Sequence, residues 1–370
     1  MKLKRIDKRY MDFALSLAMR GANKVSPNPR VGCVIVRDQR VVAYGWHEGP
    51  GKPHAEAAAI AMAGDMARGA ALYVNLEPCI HFGRTPPCAP RIIEAGVSRV
   101  VVGVEDPDPR VMGGGIAMLE NAGIPVDVGV RRSGCRWINR GFFKRIETGR
   151  PWVTLKAAVS LDGCIAPSDG DSKWITNVFS RRLAHMLRAE NDAVMIGART
   201  AKIDDPRLDV RLCSGDSPLR VVLDSRFRAS ADLAVFRDDD VLTVGLAHGE
   251  TTSESDITTR RGRYVSVGPD AGGKPSMTEI LETLGAMGVN YLMVEGGAGV
   301  AASLLKDDLV DQFSLFQASK LLGDGVGIGS ALPGSTMEQA IRAEISCVRS
   351  VEEDKWLEGG RACSQDSWNR

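Results

Sequence analysis

Three short segments, His54-Ala55-Glu56, Glu77-Pro78-Cys79 and Pro87-Cys88, place the tightest constraint on what this chain can fold into. Zinc takes imidazole nitrogen and thiolate sulfur, and a zinc site with three protein ligands keeps one position open for chemistry. If His54, Cys79 and Cys88 hold one ion, the fold must bring three separated stretches to within a few ångströms. Glu56, two residues past the imidazole, need not bind the metal and stands where a proton carrier is needed.

The order H-x-E, then P-C, then a second cysteine is the pattern of zinc deaminases. Zinc activates water near neutral pH, and an unligated carboxylate moves the proton to the departing amine. Here the stretch between the two cysteines, Cys79 to Cys88, is longer than the short form of the motif. Proline before His54 and Pro87 before Cys88 both mark helix starts, where a missing N–H costs little. Cys88 then falls at a helix N-terminus, which favours a thiolate.

Local patterning around the motif alternates strand and helix. Tyr10 to Arg20 has amphipathic helical spacing, and Ser26-Pro27-Asn28-Pro29 breaks it. Val31–Val36 and Val41–Gly45 read as strands joined by a hairpin at Arg37–Arg40. A helix at His54–Ala63, a strand at Ala71–Leu76, a helix at Pro87–Glu94, a strand at Arg99–Val104 and a helix ending at Ala122 complete an α/β domain. Phe142 to Arg150 reads as the join, with a turn at Gly149-Arg150-Pro151. A second α/β pattern follows, with strands at Trp152–Val159, Ala193–Gly197, Leu219–Leu223, Val241–Gly245 and Tyr291–Val294, and a helix at Ser180–Ala189. Gly249–Arg263 is polar and reads as a surface loop. The domains expected are 1–148 and 151–370.

A chain of 370 residues with net charge +1 has no basic excess to hold nucleic acid, and no stretch has the length and apolarity of a membrane span. The basic N-terminus lacks a signal peptide's apolar core. The eight cysteines are too sparse for a disulfide framework. A reducing, cytoplasmic setting is expected, with a small-molecule substrate, no nucleic-acid or membrane partner, and a homo-oligomer. Cys33, in an apolar strand, is expected in the core.

The run from Glu77 to Cys88, Ser26-Pro27-Asn28-Pro29-Arg30-Val31-Gly32 and Gly51-Lys52-Pro53-His54-Ala55-Glu56 together resemble the deaminase half of the bifunctional riboflavin-biosynthesis deaminase/reductase family. The reductase half is matched by Lys156 to Gly163, Gly170 to Thr176, Gly197-Ala198-Arg199-Thr200, Asp204 to Arg211, and Val294-Glu295-Gly296-Gly297-Ala298-Gly299-Val300. The resemblance reaches about residue 330. It implies a cytidine-deaminase-like three-layer α/β/α domain followed by a dihydrofolate-reductase-like α/β domain, with Zn2+ and NADPH as cofactors. It also implies hydrolytic deamination of 2,5-diamino-6-(5-phosphoribosylamino)pyrimidin-4-one, then reduction of its ribosyl group to ribityl.

Site residues follow by the same resemblance. His54, Cys79 and Cys88 hold the zinc, and Glu56 is catalytic. Asn28, His47, His81, Arg84, Asp106 and Asp108 line the deaminase pocket; Asn28 suits a pyrimidine edge and Arg84 a phosphate. Ala158, Trp174, Thr200, Asp204, Gly296, Gly297, Ala298, Gly299 and Val300 contact NADPH. Ser172, Arg188, Leu208, Arg211 and Glu295 contact the substrate. A glycine turn between strand and helix lets backbone approach a phosphate, although it is not the G-x-G-x-x-G fingerprint of a Rossmann domain. Lys156 and Asp204 are the candidate proton donors of the reduction. The chain departs from the family's pattern at Asp108, where asparagine is usual, at Cys164, and at Ser319. A monofunctional deaminase with a decayed reductase half is the alternative. A nucleic-acid deaminase is disfavoured by the charge and the second domain, and a merely structural zinc protein by Glu56.

Overall fold

The computed structural model describes residues 5–168, 173–246, 261–332, 334, 336–338 and 340–361. Ser172 and Cys363 lie outside these, as does most of the loop expected at 249–263. The chain divides into two compact units at Thr148/Gly149.

The first unit is built on five strands: β1 (Gly32–Arg37), β2 (Arg40–Trp46), β3 (Ala71–Leu76), β4 (Arg99–Val104) and β5 (Val126–Val128). Their order is β2-β1-β3-β4-β5. β1 runs antiparallel to β2 and β3, whereas β3, β4 and β5 are parallel. Six helices cover the sheet: α1 (Arg5–Ala18), α2 (Ala55–Ala63), α3 (Cys88–Glu94), α4 (Gly114–Asn121), α5 (Arg132–Ile138) and α6 (Arg140–Thr148).

Strand alternation sends successive side chains to opposite faces, which explains the two cores. Cys33 and Ile35 of β1 pack with Ala55 and Ala59 of α2, Ile92 of α3 and Leu119 of α4. Val34 and Val36 pack with Met11 and Leu17 of α1, Cys135 of α5 and Phe142 and Phe143 of α6. The result is the expected α/β/α sandwich, with Cys33 in its core. Gly32 admits α1 against β1, since a Cβ there would lie 2.1 Å from the Ala14 carbonyl oxygen.

The second unit has a nine-stranded sheet and a two-stranded one. Its strands are β6 (Trp152–Val159), β7 (Cys164–Ala166), β8 (Ala193–Gly197), β9 (Leu219–Leu223), β10 (Val241–Leu246), β11 (Arg263–Val267), β12 (Tyr291–Val294), β13 (Gln312–Gln317), β14 (Val326–Gly327), β15 (Ala343–Val351) and β16 (Asp354–Arg361). The large sheet runs β11-β10-β9-β8-β12-β6-β13-β16-β15, and β7 pairs β14. Within the large sheet only the β13–β16 and β16–β15 pairings are antiparallel, and β7 also pairs β14 antiparallel. Helices α7 (Val178–Glu190), α8 (Ala198–Asp204), α9 (Met277–Ala286) and α10 (Ala298–Lys306) complete the unit. Leu281 and Leu284 of α9 and Leu304 of α10 cover one face, while Ala201, Leu208 and Phe236 cover the other.

Two expectations are corrected, and a region without a sequence reading is resolved into strands. Helix α1 starts at Arg5 rather than Tyr10, and its last turn tightens at Met19–Gly21. The segment read as the join is mostly helix α6, whose Phe142 and Phe143 are core residues; the break is confined to Gly149, at φ +74°. The region from Cys347 forms paired strands as far as Arg361. These strands are anchored by buried Asp354, which accepts from the Ser180 hydroxyl and the Asn177 N–H at the start of α7.

Candidate active sites

Helix α2 begins directly after His54, which occupies its N-cap position, so Glu56 falls in the first turn. Cys79 follows β3 across Glu77-Pro78, and Cys88 opens α3. The His54 Nδ1 lies 3.5 Å from Cys79 Sγ and 3.4 Å from Cys88 Sγ. The three ligand atoms all fall within 4.8 Å of one another, and no fourth His, Cys, Asp or Glu joins them among the described residues.

These spacings suit zinc. Zn–S near 2.3 Å and Zn–N near 2.0–2.1 Å give a tetrahedral S···N edge of about 3.6 Å. The donor set has a soft/borderline character that fits the same ion and leaves one coordination position unfilled by protein. The Cys79 thiol is pulled well down, first by the Cys88 thiol and then, against burial, by His54. The Cys88 N–H donates to Cys79 Sγ at 3.4 Å. A lowered thiol is what a metal ligand requires.

Glu56 is 4% exposed. Burial, and next the charge of Cys79, push its carboxyl up to about 7. A carboxyl in that range can accept and return a proton near neutrality. His47 Nδ1 faces the Pro53 carbonyl at 3.1 Å, so it carries the proton, and Nε2 accepts from Asn28 Nδ2 at 2.9 Å. Burial lowers the His47 pKa, which favours the neutral ring.

A cavity of about 340 Å³ opens onto this cluster. Asn28, His47, His81, Arg84, Asp106 and Asp108 all line it with His54, Cys79 and Glu56. His81 Nδ1 is buried and has no hydrogen-bond partner among the described residues. Arg84 is exposed. Burial pushes Asp106 up to about 7.

Glu77, which sequence reasoning placed in the motif without a role, organises the site. Its carboxylate accepts from the N–H groups of Asp106, Gly113, Gly115 and Ile116. It thereby satisfies the start of α4 and ties the loop after β4 to the residues before Cys79. The proximity of an acid to the motif was the available signal, but only the fold shows which donors it meets. Gly115 permits this contact, since a Cβ there would lie 2.0 Å from the Pro78 carbonyl oxygen. Gly115→Ala is expected to destabilise the protein by about 1–3 kcal/mol through overpacking. It should also lower zinc content, because Pro78 adjoins Cys79. Thermal melting and metal analysis of the purified variant check both effects.

The second unit assembles a charged cluster from three elements. Glu295 follows β12, Lys156 lies on β6 and Arg188 lies in the last turn of α7. Arg188 Nε and Nη2 grip Glu295 at 2.5 and 2.9 Å, and Lys156 Nζ donates to it at 3.2 Å. Burial alone would raise the Glu295 carboxyl, but Arg188 and Lys156 together hold it well below the carboxylate range. Asp209 accepts from Arg211 at 2.5 Å, its carbonyl accepts from Arg188 Nη1, and the Arg211 N–H donates to His185 Nδ1. Burial, then Arg188 and Arg211, lower His185 to about 4. His185 and Asp209 were not singled out from the sequence.

Thr200 and the glycine turn meet, with the Gly297 N–H donating to Thr200 Oγ1 at 3.3 Å. Gly296 and Gly297 precede α10, whose first residues are Ala298, Gly299 and Val300. Ala158 lies on β6 and Asp204 ends α8, where its carbonyl accepts from Lys173 Nζ. Trp174 is exposed under the Arg181 guanidinium. The Leu208 side chain is buried in the core, which leaves its backbone, at φ +52°, as the part available to a ligand. Cys164 is buried on β7, and the Ser319 hydroxyl donates to the Glu353 carbonyl.

Residues 4–104 match the family model described as the cytidine and deoxycytidylate deaminase zinc-binding region, and residues 151–352 match the RibD C-terminal domain. The riboflavin biosynthesis protein RibD of Aquifex aeolicus is 40% identical across 95% of this chain and 98% of its own. The chain belongs to the RibD family. The structure of Acinetobacter baumannii RibD is similar with a TM-score of 0.88 at 34% identity, covering 97% of this chain and 99% of its own. A Thermotoga maritima structure, described as a diaminohydroxyphosphoribosylaminopyrimidine deaminase/5-amino-6-(5-phosphoribosylamino)uracil reductase, gives a TM-score of 0.87 at 34% identity. It covers 96% of this chain and 99% of its own. RibD relatives thus span both units, which supports the bifunctional reading and not the monofunctional alternative. The fold expected from the sequence, a deaminase-like domain followed by a RibD reductase domain, is the one found.

Proposed function

We propose that the first unit deaminates 2,5-diamino-6-(5-phosphoribosylamino)pyrimidin-4-one and the second reduces the ribosyl group of the product to ribityl. The observation that carries the first step is the convergence of His54, Cys79 and Cys88 beside a buried, unligated Glu56. Zinc held there supplies the Lewis acidity that makes water a nucleophile near neutral pH. Glu56 takes a proton from the attacking water and delivers it to the exocyclic amine. The carbon–nitrogen bond breaks, ammonia leaves and the ring keeps the oxygen as a carbonyl. Asn28, oriented by neutral His47, addresses the pyrimidine edge, and His81, Asp106 and Asp108 complete the pocket. Arg84 faces the phosphate.

NADPH held in the second unit would supply the hydride for reduction of the opened sugar. Ala158, Trp174, Thr200, Asp204 and the turn from Gly296 to Val300 form the cofactor side. Arg188, Arg211, Leu208, Glu295 and Ser172 form the substrate side. Lys156, within the Arg188–Glu295 cluster, is assigned the proton that completes the reduction, in preference to Asp204.

The near-neutral charge supports a small-molecule substrate rather than nucleic acid. Free thiols throughout the described residues support a reducing, cytoplasmic setting, and no described helix is long and apolar enough to cross a membrane. Self-association is supported by edge strand β15, which exposes Ile345 and Val348. The deciding experiment is a coupled assay with the diaminopyrimidine phosphate. Ammonia and a product one mass unit heavier are expected without NADPH, with a further gain of two mass units once NADPH is added. A mass that does not change overturns the reading.

A further inference from the structure

The rim of the deaminase cavity carries an ion pair to which the chemistry above gives no task beyond the place of Asp108 in the pocket wall. Asp108 and Arg110 stand on the segment after β4, and both line the cavity. The Asp108 side chain is 9% exposed and that of Arg110 is 69% exposed. Arg110 Nε donates to both Asp108 carboxylate oxygens at 2.9 and 3.1 Å, and Nη2 donates to Oδ2 at 2.5 Å. The Arg110 N–H adds a bond to Oδ1 at 3.0 Å. Arg110 holds the Asp108 carboxyl below its ordinary range, against the upward pull of burial. The third guanidinium nitrogen, Nη1, has no protein partner among the described residues.

This geometry fixes a long, flexible side chain before any ligand arrives. A guanidinium gripped along one edge presents its other edge with its rotamer entropy already lost. Of the other acids of the cavity wall, Glu77 accepts from four backbone N–H groups, Asp106 accepts from the Asp108 N–H, and Glu56 is buried beside His54 and Cys79. Arg145 donates to the Pro27 carbonyl. An anion at the rim therefore meets Arg84 and the outer edge of Arg110, with the Asp108 carboxylate behind the guanidinium. Attraction exceeds repulsion in that order because Coulomb energy falls with distance.

We propose that Arg110 is a second phosphate-binding residue of this site beside Arg84, and that Asp108 is a positioning residue that acts through Arg110. The proposal rests on the deaminase reading of the same cavity. It makes the pair a determinant of specificity for phosphorylated over unphosphorylated ribosylaminopyrimidines. It also gives the Asp108 carboxylate a task that an amide, which cannot bind a guanidinium bidentately as an anion, performs poorly.

The test compares ammonia release from the phosphorylated substrate and its dephosphorylated nucleoside, in the full-length zinc-loaded protein. Arg110→Ala should raise KM for the phosphorylated substrate about tenfold with kcat within about twofold, and leave the nucleoside's parameters unchanged. Asp108→Asn should shift the same KM in the same direction by a smaller factor, and the double variant should be no worse than Arg110→Ala. Inorganic phosphate, titrated calorimetrically, should bind the first unit more weakly in Arg110→Ala. An equal loss on both substrates, or a KM and a phosphate affinity that do not move, overturns the proposal. If the parent protein releases no ammonia at all, the deaminase reading fails instead, and the phosphate titration alone still decides the role of Arg110.

Discussion

Glu56→Gln should lower ammonia release by about 10²–10⁴-fold, the usual contribution of a positioned general acid–base group. Its zinc content should stay at the parent level. Glutamine keeps the size and one acceptor oxygen of a side chain that is 4% exposed, so packing around α2 is preserved. What it loses is the capacity to take a proton and give it back. Metal ligation is assigned to His54, Cys79 and Cys88, whose ligand atoms converge without the carboxylate. The measurement is paired, ammonia by a coupled assay and zinc by elemental analysis on the same sample. A variant that loses zinc along with activity would make Glu56 a ligand, and one that keeps activity would remove it from the mechanism. NADPH oxidation with the deaminated intermediate should continue, since the groups assigned to reduction all lie in the second unit.

Glu295→Ala should have the opposite profile. Glu295 is the shared anion of Arg188 and Lys156, both mostly buried. Removing it takes the shared partner from two cations in a low-dielectric site and leaves the Asp209 charge near Arg188 as the remaining anion. Breaking a buried pair in this way costs about 3–5 kcal/mol, far more than an exposed pair contributes. Denaturant unfolding of the second unit should show that loss, and NADPH oxidation should fall at least about a hundredfold, a change of some 2.7 kcal/mol or more in transition-state stabilisation. The pH dependence supplies an independent check. Arg188 and Lys156 hold the folded-state pKa of Glu295 below its ordinary 4.5, and burial opposes them. Stability from the cluster is therefore complete above pH 4.5 and is lost as pH falls below it toward the folded-state value. The variant should lack this acid-dependent component. Unchanged stability and unchanged acid sensitivity would show that the two cations find other partners.

The first of these results was foreshadowed by the sequence and the second was not, and the reason differs between the units. In the first, the zinc ligands and Glu56 were legible because metal chemistry admits few residue types and the H-x-E order places the carboxylate on the same helix start. Pro53 and Pro87 also announced the starts of α2 and α3, since proline suits the first turn and little else in a helix. Glu77 was in plain view but had no visible partner. Its four donors come from the loop after β4 and the start of α4, which only the parallel pairing of β3 and β4 brings alongside. Asp108 looked like a departure from a familiar pattern until Arg110 was seen gripping it.

In the second unit the buried strands were readable as apolar runs because both of their faces are covered. The closing strands β15 and β16 escaped notice, since most of β15 is exposed and its apolar residues do not dominate any window. The sequence by itself thus determined most element types and singled out the His54, Cys79 and Cys88 cluster with the carboxylate beside it, because these depend on local spacing and on the identity of the candidate ligating atoms. Tertiary structure alone decided which charges neutralise which: Glu295 with Arg188 and Lys156, Glu77 with backbone N–H groups, Asp108 with Arg110. Electrostatic energy depends on distance and burial through space, and the linear order of residues carries neither.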